Sequence, residues 1–263
     1  MNVWIVTIGA FVMMALGFTL AVLIGKRLPE TRFSDGSAKN LRTSMAIVAT
    51  MSSLLLGLMV NSARYNYSEA YLDVQKYASV VQLLDIELRN YGAAGCPLRL
   101  TLEDYARKLM AETWDVDMHA SADAAPQPAL NALLRFDRQV RTLAVANDDQ
   151  QRARSTIQTL SRQLAEYRWK VTGVARTTTP VLFIAVVICW FSLIFAYSGA
   201  FAAVNAFVVT GHVLAMLCIS AAIFLVMELG QPFSGPMQVS PAPVQWLLDH
   251  MQSETCPAEV TSG

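Results

Sequence analysis

Residues 45–92 read MAIVATMSSLLLGLMVNSARYNYSEAYLDVQKYASVVQLLDIELRNYG, and this stretch decides the fold. Residues 45–60 are apolar or small, the composition of a helix that crosses a hydrocarbon core. From Ala63 the apolar and aromatic side chains recur at Tyr67, Ala70, Val74, Tyr77, Val81, Leu84, Leu88 and Tyr91. Spacings of four and three alternate throughout, which is a heptad seam. No breaker separates the seam from the span, so one helix is expected from about residue 41 to residue 91. Gly92 then ends it as a glycine just past the last turn. A membrane helix that continues into a packed extramembrane domain is the consequence.

The same spacing returns at Ile157, Leu160, Leu164, Tyr167, Val171 and Val174. Pairing the two seams antiparallel builds a helical hairpin, although a heptad stripe pairs as readily with a second subunit. Two shorter helices are expected to buttress it. One starts at Thr101, with Asp104 three residues on in a capping-box-like pattern, and buries Leu102, Tyr105, Leu109 and Trp114. The other carries Leu130, Leu133, Leu134, Phe136 and Val140. Between them 119–128 has loop composition, and Thr177, Thr178 and Thr179 before Pro180 predict a kink.

The whole chain agrees with a membrane reading. Of 263 residues, 54% are apolar and 15% charged, against roughly 25% charged in soluble domains. Stretches 3–24, 181–197 and 206–227 join 45–60 as spans. The first lacks a basic leading region and runs into Gly25, Lys26 and Arg27 without a small-x-small pattern, so an uncleaved anchor is expected. The predicted fold class is an all-α integral membrane protein with four transmembrane helices and a long helical stalk between spans two and three. Its expected parts are 1–60, a first transmembrane pair; 61–179, a helical extramembrane domain; 180–229, a second pair; and 230–263, a Pro/Gly exit, an amphipathic helix and a tail. That helix, with Val244, Leu247, Leu248 and Met251, is expected on the membrane surface.

Twenty basic and twenty acidic residues balance, which argues against a nucleic-acid partner. The expected partners are the lipid bilayer and either further copies of the chain or another membrane protein. Short loops set sidedness. Lys26, Arg27, Arg32, Lys39 and Arg42 place the connection 25–44 inside and the middle segment outside; Arg64, Lys76, Arg168, Lys170 and Arg176 match that count on the other face. Cys189 and Cys218 fall within spans and are expected to pack as small apolar residues. Cys96 and Cys256 share one side of the membrane and form a candidate disulfide if that side is oxidising; two separate thiols are the alternative.

No enzyme is expected, because GxSxG, HExxH, Walker and GxGxxG patterns are all missing. No cofactor and no metal site is expected either, and His119, His212 and His250 do not cluster. His212 begins the fourth span, where a neutral imidazole finds water or a carbonyl. Glu228 is the residue to weigh. In the last turn of a span its carboxylate meets the unfavourable end of the helix dipole. Either it has a partner, a basic side chain such as Arg64, Lys170 or Arg176 or a water-filled cavity, or it marks the water boundary. Gly230, Pro232 and Pro236 stop the helix beyond it.

Two blocks resemble a known family. The exit MELGQPFSGPMQVS (227–240), together with Phe195, Gly199, Asn205 and Pro243, resembles the C-terminal signature of the bacterial bestrophin-like membrane family, domain of unknown function 4239. Its signature positions here are Glu228, Leu229, Pro232, Phe233, Ser234, Gly235, Val239 and Ser240. The stretch 54–75 with Gly57 and Tyr67, and LLDIELRNYG (83–92) with Leu84, Asp85, Leu88, Tyr91 and Gly92, form the second block. Gly230 stands where the family usually has Asp, so the resemblance does not extend to a carboxylate pair. Glu228, Pro232, Phe233, Ser234 and Gly235 are the candidate functional residues it implies. It also implies comparison with pentameric anion channels that have four spans, a large helical region between spans two and three, and both termini and that region in the cytoplasm, opposite to the short-loop count. The expected function is a channel-like or transport-related oligomer of the bacterial inner (plasma) membrane, with Thr50, Ser52, Ser53 and Gly57 lining a pore or packing helices closely. The alternative is a non-conducting scaffold or envelope sensor whose stalk binds a protein.

Overall fold

A computed structural model describes residues 2–27, 35–114, 128–174, 181–201 and 205–253. Residues 119–127 of the expected loop 119–128, with His119, the kink at 177–180, and Cys256 lie outside the described residues, while Pro128 already opens a helix. Eight α-helices carry the described fold, and no strand occurs among the described residues. They are α1 (Val3–Gly25), α2 (Asp35–Asn90), α3 (Cys96–Trp114), α4 (Pro128–Arg141), α5 (Asp148–Val174), α6 (Val181–Phe201), α7 (Ala206–Leu229) and α8 (Ala242–Ser253). The chain divides into two compact units, Met1–Asn66 with Thr178–Gln231, and Tyr67–Thr177 with Pro232–Gly263.

In the first unit, α1, α6, α7 and the leading part of α2 are long and apolar enough to cross a membrane. The apolarity of α1, α6 and α7 is all-round, as a helix facing both neighbours and lipid requires. Met14, Phe18, Val187, Phe191, Phe195 and Met216 are buried together. Ile5, Ile8, Leu16, Leu20, Leu182, Phe207 and Leu214 stay exposed; in water such a surface would be an aggregation liability, and in lipid it is the expected one. α1 and α6 approach at glycines. A Cβ on Gly17 would sit 2.9 Å from the Ser192 carbonyl oxygen, and one on Gly199 2.6 Å from that of Phe18, the small-residue packing by which membrane helices associate. Asn2 and Asn205 cap α1 and α7, their side-chain oxygens accepting from the amides of Trp4 (3.2 Å) and Val208 (2.8 Å). The signature residue Asn205 is thus a helix cap.

In the second unit the seam of α2 is the core. Ala70, Val74, Tyr77, Val81, Leu84, Leu88 and Tyr91 are buried with Ile157, Leu164 and Val171 of α5. The two helices run antiparallel: the Tyr91 hydroxyl donates to the Ala144 carbonyl just before α5 (2.6 Å), while Leu72 and Tyr167 border one groove at the other end. Gly92 adopts a φ of 89°, a backbone reserved for glycine, and turns the chain into α3. The α3 start differs from expectation. The helix begins at Cys96 and Pro97, because proline fits a first turn, and the Thr101 hydroxyl donates back to the Pro97 carbonyl inside the helix. On α4 Leu133, Phe136 and Val140 are buried as expected, whereas Leu134 is exposed and Ala129 and Ala132 take the inner face. The short side chains let α4 lie close against α3. The C-terminal helix α8 buries Val244, Leu247, Leu248 and Met251 in this same core. Its apolar face is therefore consumed by protein and does not rest on a bilayer surface.

Candidate functional site

Three places in the described fold carry polar groups where apolar ones would be cheaper. The first is the exit after α7. Helix α7 ends at Leu229, and its cap Gly230 has a φ of −74° and ψ of −7°, ordinary right-handed values. The stop is therefore Pro232, which cannot donate an amide, and not a left-handed Gly230. Gly235 is the glycine that takes a left-handed φ, 85°, so that the loop closes with the Val239 amide donating to the Pro232 carbonyl (2.6 Å). Within the second unit the loop is sewn in by Trp114, whose indole N–H donates to the Val239 carbonyl (2.8 Å) and whose ring meets Phe233 edge-on at 5.3 Å. Pro232 and Phe233 are buried and Ser234 half-buried. Four candidate residues, Pro232 to Gly235, thus form one docking turn.

Glu228 is 3% exposed, so it does not mark the water boundary. Of the cations weighed for it, Lys170 pairs with Glu166 at 2.8 Å, and no ion pair involves Arg64 among the described residues. Arg176 lies outside the described residues.

The second place is a pair of buried ion networks that the pattern of apolar residues did not announce. Arg99 is 5% exposed and Asp85 3%. The Arg99 Nε donates to Asp85 Oδ1, and its Nη2 donates to the Met251 carbonyl at 2.7 Å; Arg89 reaches the other Asp85 oxygen at 3.3 Å. One guanidinium therefore joins α2, α3 and the last turn of α8, where a cation also meets the favourable end of the helix dipole. The signal was present: Arg99 precedes Leu102 by three residues and Ala106 by seven, on the buried stripe. Arg168, on the α5 stripe between Leu164 and Val171, is likewise buried, its Nη2 3.8 Å from Glu112 Oε2. Glu112 Oε1 meanwhile accepts the Ala129 amide at the start of α4 (2.7 Å). Burial pushes the nearby Tyr105 phenol well above its usual range, against the opposing pull of the Arg168 charge.

The third place lies in the membrane unit. His212 Nδ1 faces the Val208 carbonyl at 2.8 Å, so this nitrogen carries the hydrogen, and Nε2 meets the Ser198 hydroxyl at 2.6 Å. The ring packs on Phe18 (4.7 Å) and Phe195 (6.1 Å). The carbonyl partner expected for His212 is there, and the pair ties α6 to α7. On α2, Ser52 is buried with its hydroxyl on the Val48 carbonyl (2.7 Å), and Leu55, Leu56 and Met59 pack on the bundle. Thr50, Ser53 and Gly57 are exposed; the hydroxyls of Thr50 and Ser53 donate to carbonyls four residues back, each at 2.9 Å. A Cβ on Gly57 would meet nothing within 4 Å beyond its own turn of helix. Close packing within this chain thus accounts for Ser52 and leaves the other three on an open face.

A family model described as bestrophin-like domain matches residues 11–244, most of the chain. The chain belongs to the bestrophin-like family. With its four apolar helices this bestrophin-like chain is a multi-pass membrane protein. Among solved structures, two variants of a bacterial bestrophin homologue from Klebsiella pneumoniae match over 94% of this chain, with TM-scores of 0.70 and 0.69 at 14% identity, covering 97% and 98% of those chains. A third structure, described as a membrane protein, matches with a TM-score of 0.69 at 14% identity over 94% of this chain and 97% of its own. At that identity the likeness establishes the fold. No curated protein matches the chain.

Proposed function

We propose that this bestrophin-like chain is one subunit of a homo-oligomeric, channel-like assembly of the bacterial inner membrane, with one face of α2 bordering a shared aqueous path. The observation that carries it is the open α2 face. Ala46, Thr50, Ser53, Gly57 and Asn61 follow one another by three or four residues, all exposed. At 3.6 residues per turn they fall within an arc of about 80°. The bundle-facing arc of Ser52, Leu56 and Met59 is centred about 130° round the helix from it, and Ile47, Met51, Leu54 and Leu58 form an exposed apolar face on the other side of the stripe. A helix lodged wholly in lipid has no use for a stripe of small and hydroxylated residues, whereas a path between copies does. The solved homologues called bestrophin make the channel comparison natural. Purified protein in planar bilayers is expected to pass current above the empty membrane and to run as an oligomer in detergent. A silent monomer, cross-linked through its polar unit to another protein, would instead support the scaffold reading.

We also propose that Cys96 pairs with Cys256. Cys96 precedes Arg99 by three residues, Arg99 holds the Met251 carbonyl at the end of α8, and Cys256 follows Met251 by five residues in the sequence. A mobility shift between reduced and non-reduced samples, lost in Cys256→Ser, is expected. Identical mobility in both would leave two free thiols. The pairing also bears on sidedness, since a lasting disulfide favours an oxidising compartment.

A further inference from the structure

Two grooves run beside α2 in the second unit, and both are lined by Gln75 and Ser79. One, of about 460 Å³, opens between α2 and α5; Leu72, Val80 and Tyr167 are its apolar lining, and Lys76, Gln163 and Glu166 its polar lining. The other opens between α2 and α8 and is lined by Trp246. Lys76 and Val80 lie on the α5 side of α2, and Ala78 and Gln82 on the α8 side, about 160° apart round the helix. The first groove and Trp246 therefore stand on opposite flanks of α2, level with each other to within a turn.

Trp246 lies off the core face of α8 and is 56% exposed. Its ring is backed by His250, stacked on it at 5.1 Å and 10°. Trp114 donates its indole N–H to a carbonyl, whereas that of Trp246 has no protein acceptor among the described residues. Charges on the two flanks are complementary. Asp249, three residues on from Trp246, and Lys76, in the groove, are both exposed, and neither forms an ion pair among the described residues.

We infer that Trp246 of one subunit seats in the α2–α5 groove of the next, tying the polar units of neighbouring copies together. This deepens the homo-oligomer proposed above and rests on it. Unlike patches on opposite flanks make a head-to-tail contact, and patches at one level let it close into a ring without climbing into a filament. A seated indole buries about 150–250 Å², and tryptophan is among the side chains that most often carry an interface. Gln163 and Glu166 offer acceptors for its N–H, and Asp249 arrives on the side of the groove that holds Lys76.

The test is light-induced cross-linking of the detergent-solubilised full chain with the photoreactive p-benzoylphenylalanine in place of Trp246. A dimer-sized product is expected, joined to 72–80 or 163–167 of the other chain when mapped by mass spectrometry. Trp246→Ala is expected to raise the protein concentration at which the oligomer dissociates by roughly thirtyfold, with helix content and melting temperature unchanged because the side chain is exposed. Trp246→Tyr, which keeps a large ring and a donor, should fall between. Cross-links confined to one chain or to another surface of its neighbour, or dissociation untouched in Trp246→Ala, overturn the inference while leaving the assembly standing. A wild type that is monomeric throughout overturns both.

Discussion

Arg99→Ala is expected to lower the stability of the polar unit by about 3–5 kcal/mol, the range for removing one partner of a buried ion pair. The substitution leaves Asp85, 3% exposed, with only the longer contact to Arg89 at 3.3 Å, and strips the Met251 carbonyl of its donor. α8 should loosen first, because its last turn has lost the link to α3. Thermal unfolding of the detergent-solubilised protein, followed by circular dichroism, reads the loss. Protease sensitivity of 242–253 reads the local step. The double variant Asp85→Leu with Arg99→Met should lose less than Arg99→Ala, since no buried charge is stranded. Additive losses would mean that the two side chains are not coupled.

Gly199→Val is the second large effect. Even a Cβ would lie 2.6 Å from the Phe18 carbonyl oxygen and 3.1 Å from a carbon of its ring. Backbone cannot rotate away as a side chain can, so α1 and α6 must part. Overpacking of this kind costs about 1–3 kcal/mol and sometimes more, and here it also disturbs the His212 ring that rests on Phe18. Gly57→Ala provides the contrast. Gly57 has open space around it, and alanine in an exposed helix is favoured over glycine by up to about 1 kcal/mol. The melting temperature is therefore expected to fall in Gly199→Val and to hold or rise in Gly57→Ala.

These contrasts also show what a single sequence makes legible. The seam from Ala63 to Tyr91 is buried at every position except Tyr67, which is half-buried against the same core, because heptad spacing states directly which side of a long helix faces a partner. Gly92, Tyr91 and Asp85 stood out as signature residues, and each has a structural use: a positive-φ turn, a hydroxyl on the Ala144 carbonyl and an ion pair. The seam could not say that α8 returns to the same core, since burial against a distant element leaves no periodic trace beyond amphipathicity. A surface helix and a docked helix have the same pattern. The start of α3 was misplaced because Thr101 and Asp104 imitate a cap, while Pro97 is the residue that shapes the first turn. Glu228 leaves two readings open in the sequence, a partnered carboxylate or a boundary marker, and only tertiary packing, which buries it, decides against the second. The polar stripe of α2 was legible only in part. Thr50, Ser53 and Gly57 could be named from sequence, but Ser52 beside them belongs to the bundle, and only exposure separates the two faces.

The central claim is that the open face of α2 borders a water-filled path. Its most direct measurement is current through Ser53→Cys in a background in which Cys189 and Cys218 are alanine, before and after a membrane-impermeant thiol reagent. The account predicts that the reagent blocks current through Ser53→Cys and leaves Leu58→Cys, on the apolar face, conducting. Equal insensitivity of both, in a protein that conducts, would contradict it.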